Sequence, residues 1–170
     1  MSKFSIMANS FKWINGKEDD ENDLCLHGHA SAHIGDEIFE YDATISATAL
    51  YLLKSLTEDH IINKEIQMLP CCGHAIWLKN DNTKDVFIMG CCNGIDWSVI
   101  HENDKVKLIT ERGNETIISI DEYKKEVYNF VDLIEDFYKK CKPKILPKDK
   151  FDRDSYIAFW DEWHRRRNEI

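Results

Sequence analysis

The sequence VFIMGCCNGIDWSV, residues 86–99, contains the strongest local signal for the fold of this chain. Asn93 and Gly94 at its centre favour a two-residue type I′ turn. That turn needs a positive φ at both central positions, and these residue types tolerate it best. Apolar residues lie on both sides of the pair. The stretch therefore predicts a β-hairpin with Cys91 and Cys92 beside its turn.

Short apolar runs separated by turn residues extend outward from this hairpin. The expected strands cover residues 75–79, 86–92, 95–101, 105–111 and 115–120. Strands joined in sequence by short turns predict an antiparallel β-meander.

The N-terminal part of the chain predicts further strands. Residues 4–14 read as one strand, with imperfect alternation. Residues 24–34 and 37–45 alternate small or apolar side chains with polar ones, which is the period of a strand with two different faces. Gly35 and Asp36 lie between these two runs and indicate a hairpin turn.

Helical periodicity replaces this pattern in three places. Residues 46–56 repeat apolar side chains at helical spacing. Ser119 and Glu122 form a capping-box signal before an apolar stripe of about 20 residues. A third helix begins near Asp152 or Asp154. Its apolar face is expected in the core and its arginine-rich end, residues 164–167, in solvent; that face consists of Tyr156, Phe159, Trp160 and Trp163.

The expected fold is therefore a single α+β domain over residues 1–170. Its antiparallel β-meander sheet has about seven or eight strands in two groups. Three helices pack on that sheet, and two of them are C-terminal.

Charge and composition argue against some classes of binding partner and predict where the protein is located. The chain has 22 basic and 31 acidic residues and a net charge of −9. This charge argues against nucleic acid and anionic membranes as partners, because both require clustered Lys and Arg. The sequence contains no signal-peptide pattern and no long apolar run, which predicts a cytoplasmic protein. Its six cysteines are then expected to be reduced thiols.

One acidic run is a candidate site for a protein partner. The run consists of Glu18, Asp19, Asp20, Glu21 and Asp23. Such a run is usually a solvated loop. It also suits a cationic partner, because complementary charge raises the rate of encounter.

Cysteines and histidines form two candidate metal sites. Cys72, His74 and Cys91 are the candidate zinc ligands. Cys91 and Cys92 are expected to point to opposite faces of a strand, so one of the two, Cys91 or Cys92, could join such a site. The other candidate is the row Cys25, His27, His29 and His33, which one strand would place on one face. Free cysteines are also common as small buried hydrophobic residues. The sequence therefore predicts no cofactor, and the alternative is a protein that binds zinc.

No catalytic motif surrounds these residues. The chain has no nucleotide-binding glycine loop, no G-x-S-x-G sequence and no H-E-x-x-H sequence. The chain is therefore not expected to be an enzyme.

In size, single α+β domain, acidic charge and acidic loop, the chain resembles the small immunity proteins of bacterial polymorphic-toxin and contact-dependent inhibition systems. The resemblance is one of class and rests on no shared motif. It implies a cytosolic protein that binds and neutralises a cognate basic toxin domain. The alternative is a zinc protein, structural or hydrolytic, that uses the cysteine and histidine clusters.

Overall fold

The computed structural model describes residues 3–80 and 83–168. Over those residues the chain forms three helices and ten strands. The helices are α1 (Ile45–Lys54), α2 (Ile120–Lys140) and α3 (Lys150–Asn168). The strands are β1 (Phe4–Lys12), β2 (His27–Ile34), β3 (Glu37–Thr44), β4 (Leu69–Pro70), β5 (Ala75–Leu78), β6 (Val86–Met89), β7 (Gly94–Ile95), β8 (Trp97–Glu102), β9 (Lys105–Thr110) and β10 (Glu115–Ser119). The predicted α+β class and the two C-terminal helices are confirmed.

The prediction of one meander sheet is wrong. The described strands divide into four small antiparallel sheets, ordered β1-β2-β3, β10-β9-β8, β4-β7 and β5-β6. The consecutive hairpins β2–β3, β5–β6, β8–β9 and β9–β10 form as the turn residues indicate. The meander is interrupted between β6 and β8, at the stretch that carries the cysteine pair.

The prediction of a type I′ hairpin at Asn93 and Gly94 is also wrong. Gly94 pairs with Pro70, and Ile95 pairs with Leu69, so this segment joins β4 rather than turning β6 back on itself. The φ of Gly94 is +149°, and a Cβ added there would lie 2.5 Å from the carbonyl oxygen of Leu69. Glycine is needed here for close approach to β4, not for a two-residue turn.

The helices follow the sequence signals closely. The side chain of Ser119 accepts a hydrogen bond from the backbone N–H of Glu122, and the Glu122 side chain accepts one from Ser119, which completes the capping box. The apolar face of α3 is in the core, where Trp163 and Phe159 are almost fully buried. None of the helices in the described part of the chain has both the length and the apolar composition needed to cross a membrane.

The arginine-rich end of α3 is not the solvated helix end that the sequence predicts. Arg166 is buried, and its Nε donates to Glu162 Oε1 at 2.7 Å. Glu162 also pairs with Lys54 Nζ at 2.8 Å and accepts the backbone N–H of Val86 at 2.6 Å. This buried network fastens α3 to α1 and to the start of β6.

Candidate functional site

The pairing of β4 with β7 brings three thiols together. Cys71 and Cys72 follow β4 directly, and Cys91 follows β6 by two residues. The Sγ atoms of Cys71 and Cys91 are 3.0 Å apart, and the three Sγ atoms all lie within 4.8 Å of one another. We call these three residues the thiol cluster.

Backbone geometry holds the two segments of the thiol cluster side by side. The N–H of Cys71 donates to the carbonyl of Asn93 at 3.1 Å, and the N–H of Cys91 donates to Sγ of Cys72 at 2.9 Å. Gly90 permits this approach, because a Cβ there would lie 2.7 Å from the carbonyl oxygen of Cys72. The cluster is therefore a product of tertiary pairing, with one sulfur receiving a backbone donor.

Hydrogen bonding gives the thiols of Cys71 and Cys91 different pKa values. Hydrogen bonds from Cys71 and then Cys72 lower the pKa of the half-buried Cys91 thiol to about 7. Its hydrogen bond to Cys91, and then burial, raise the pKa of Cys71 to about 11. Cys71 thus acts as the S–H donor and Cys91 as the thiolate acceptor near neutral pH.

We expect Cys91 of the reduced, metal-free protein to be alkylated with a pH midpoint of about 7, because the thiolate is the nucleophile and is present above its pKa. Cys71→Ala removes the first donor, so the midpoint should rise toward the ordinary value of about 8.5. Iodoacetamide labelling followed by mass spectrometry measures both.

Two thiols serve as controls for that labelling. Cys92→Ala should leave the Cys91 midpoint unchanged. Burial raises the pKa of Cys25 to about 12, so this thiol should stay unlabelled across the same pH range. An unchanged midpoint in Cys71→Ala would show that the Cys71–Cys91 hydrogen bond is not made in solution.

The predicted zinc ligands are only partly brought together. Cys72 and Cys91 belong to the thiol cluster, whereas the ring of His74 lies against that of His27, with centroids 4.9 Å apart. Cys71 takes the third position. The sequence prediction did not include Cys71, and it applied strand alternation to Cys91 and Cys92, but the chain leaves strand geometry after Pro70 and after Met89. Adjacent cysteines outside a strand are free to converge.

The row of Cys25, His27, His29 and His33 does not converge either. Cys25 is buried with its Sγ 3.8 Å from the carbonyl oxygen of Gly73, and His29 Nδ1 lies 2.9 Å from Asp42 Oδ1. Among the described residues, the thiol cluster is the one group whose ligand atoms lie close enough for a shared cation.

The acidic run has an internal structural role. Its residues are Glu18, Asp19, Asp20, Glu21 and Asp23. Asp20 is buried; Asp19 Oδ2 accepts the N–H of Lys142 at 2.9 Å, and Asp23 accepts the N–H groups of Ile14 and Cys25. The backbone carbonyl of Asp20 accepts Lys144 Nζ at 2.6 Å. The run is therefore an ordered loop that holds the segment between α2 and α3 in place. The carboxylates of Asp19 and Asp23 accept hydrogen bonds from backbone N–H groups, and Asp20 is buried.

An exposed aromatic face lies next to the thiol cluster. On the β5–β6 hairpin Trp77 is paired with Phe87 across the strands; each is 40% exposed, and Met89 on the same face is 45% exposed. We call these three residues the aromatic face. Sequence reasoning missed it, although the uninterrupted apolar runs AIWL and VFIM were a signal, since a hairpin with one solvated face normally alternates.

A groove joins the aromatic face to the cysteines. It has a volume of about 340 Å³, and Phe87, Met89 and Cys91 line one side of it, opposite residues 63–67. A larger groove of about 610 Å³ lies elsewhere, between β1 and β10, where Lys3 and His33 are mixed with Asp36 and Glu115. We place the candidate site at the smaller groove, because the reactive and aromatic side chains are there.

Comparison with models of protein families, with curated proteins and with solved structures found no match to this chain.

Proposed function

We propose that this chain is a non-enzymatic protein-binding module of the cytoplasm that neutralises a cognate basic toxin domain, in the manner of bacterial immunity proteins. The observation that carries the proposal is the aromatic face of the β5–β6 hairpin. Large apolar side chains that stay exposed together are typical of interaction surfaces, and Trp is enriched among interface hot spots.

The hairpin is a rigid base for such an interface. Val86 and Ile88 on its inner face are buried, and the backbone N–H of Val86 is held by the buried carboxylate of Glu162. A preorganised surface loses little conformational freedom on binding, which favours affinity. These contacts support the aromatic face, rather than the buried aromatic side chains of α3, as the anchor.

The acidic net charge of the chain supports the proposal that the partner is basic. The net charge of −9 would attract a cationic toxin and raise the association rate. The acidic run contributes to this steering, because carboxylates that accept hydrogen bonds from backbone N–H groups keep their negative charge. Increasing salt should therefore slow association more than it speeds dissociation.

We expect Trp77→Ala and Phe87→Ala each to weaken toxin binding by about 30-fold or more, because each removes an anchor of at least 2 kcal/mol from the centre of the interface. The partner to test is the purified product of the gene immediately upstream. Calorimetry gives the affinity, and co-expression measures rescue of growth.

Ile38→Ala is the matched control, because Ile38 is 61% exposed but lies on β3, in a different sheet. It should change the affinity less than threefold. If the upstream product is no toxin or does not bind, the immunity function is wrong. If it binds equally well to wild type and Trp77→Ala, the aromatic face is not the interface.

A further inference from the structure

We propose that Cys71, Cys72 and Cys91 form a three-thiolate site for one thiophilic metal cation, with copper(I) as the preferred ion. This inference goes beyond the proposed protein-binding function and does not depend on it. It rests on the positions of the three sulfur atoms and on the side chains that are absent from their surroundings.

The sulfur positions are close to those of a trigonal metal site. A cation about 2.3 Å from three coplanar sulfurs separates them by about 4 Å. The three Sγ atoms already lie within 4.8 Å of one another, and the close pair, Cys71 and Cys91, is 3.0 Å apart. That pair must open by about 1 Å, which small side-chain rotations can supply because both residues are only half-buried.

The number of ligands favours copper(I) over a structural zinc ion. Structural zinc sites normally have four protein ligands in a tetrahedron. Among the described residues no fourth His, Cys, Asp or Glu joins the group, and His74, the nearest histidine in sequence, lies against His27. Thiolate ligands select soft cations, and copper(I) is the softest common one.

Backbone hydrogen bonds orient the thiol cluster. The N–H of Cys91 donates to Sγ of Cys72, and the N–H of Cys71 is anchored on Asn93. Such donors orient metal ligands and stabilise the charge of the sulfur. The thiol cluster thus combines convergent soft ligands with fixed backbone positions.

The experiment uses the full chain, purified without a metal-affinity tag, made metal-free and fully reduced. Copper(I) is titrated in competition with a chromophoric copper(I) chelator, and zinc is titrated separately. We expect one equivalent of copper(I), bound more tightly than zinc. Cys71→Ser, Cys72→Ser and Cys91→Ser should each lower the affinity by more than about 100-fold, since losing a residue that only hydrogen-bonds to a metal ligand already costs 10- to 100-fold.

Cys92→Ser and Cys141→Ser are the matched controls and should bind copper(I) as the wild type does. A second measurement needs no variant: copper(I) should protect Cys71, Cys72 and Cys91 from alkylation and leave Cys92 reactive. The proposal is overturned if zinc binds more tightly than copper(I), if Cys92→Ser costs as much affinity as Cys72→Ser, or if copper(I) protects no cysteine of the cluster.

Discussion

Replacing Glu162 with glutamine is expected to lower the free energy of unfolding by about 3–5 kcal/mol, the usual cost of removing one partner from a buried ion pair. The side chain of Glu162 is fully buried, and its two oxygens receive Lys54 Nζ, Arg166 Nε and the N–H of Val86. Glutamine keeps the shape but presents an amide NH₂ to one of these donors. Lys54 and Arg166, both buried, then each lose the ion pair with Glu162, although Arg166 keeps its contacts with Glu58 and Asp85.

In the wild type, the ion pairs of this network offset the free-energy cost of burying Lys54 and Arg166. Burial by itself would lower the pKa of Arg166, but hydrogen bonds to Glu58 and Glu162 outweigh it, and the net pKa is raised. Removing the charge of Glu162 leaves only part of this compensation. Urea denaturation measures the loss, as a lower midpoint with an unchanged slope.

Asp161→Asn is the matched control, because Asp161 is the preceding residue of α3 and is exposed. It should change stability by less than about 0.5 kcal/mol. Glu162→Gln should also speed hydrogen exchange at the amide of Val86, since that N–H loses its acceptor. Equal, small losses in both variants would mean that water reaches the network and screens it.

Replacing Asp96 with asparagine is expected to cost about 3 kcal/mol of stability, because a buried carboxylate with several donors is replaced by a group that is itself partly a donor. Asp96 is 1% exposed, and its Oδ1 lies 2.8 Å from His60 Nε2. The same oxygen accepts the backbone N–H groups of Met68 and Trp97, at 3.1 and 3.0 Å. An asparagine can satisfy only some of these donors at once.

The stability that Asp96 contributes comes from holding one particular segment of the chain in place. Its other oxygen accepts the N–H of Asn63 at 3.3 Å, so Asp96 fastens residues 60–68 to the start of β8. Asp104→Asn, an exposed change in the β8–β9 turn, is the control and should be nearly neutral. A double-mutant cycle with His60→Ala should give a coupling of about 1 kcal/mol or more. A coupling near zero would mean that the His60–Asp96 contact contributes nothing.

Local signals in the sequence were sufficient for the helices and for the hairpins β2–β3, β5–β6, β8–β9 and β9–β10, but not for the hairpin predicted at Asn93 and Gly94. Ser119 and Glu122 predicted the start of α2, and Gly35 with Asp36 predicted the turn between β2 and β3; both are confirmed. These features depend on residues a few positions apart, so capping, turn chemistry and side-chain period are readable from the chain itself. The burial of Trp163 and its apolar neighbours on α3 is predictable for the same reason.

The candidate site could be predicted only in part. The cysteine-rich segments were apparent, and Cys72 and Cys91 were named among the candidate ligands. Which third residue joins them depends on where the backbone leaves strand geometry, and the sequence has no local signal for that beyond Pro70. The apolar runs of β5 and β6 were a signal that these strands are unusual, but they did not show that Trp77 and Phe87 stay exposed, because an apolar strand face has the same sequence pattern whether another element covers it or not.

The sequence by itself determined the α+β class, the three helices and the strands that are joined by short turns. The tertiary structure decided how these pieces combine: β7 pairs with β4 instead of β6, Gly94 serves close approach instead of a turn, and Glu162 is buried between Lys54 and Arg166. Alternating side chains show that a strand exists but not which strand it pairs with. That choice depends on the burial and hydrogen bonding of residues far apart in the chain, which only the folded structure brings together.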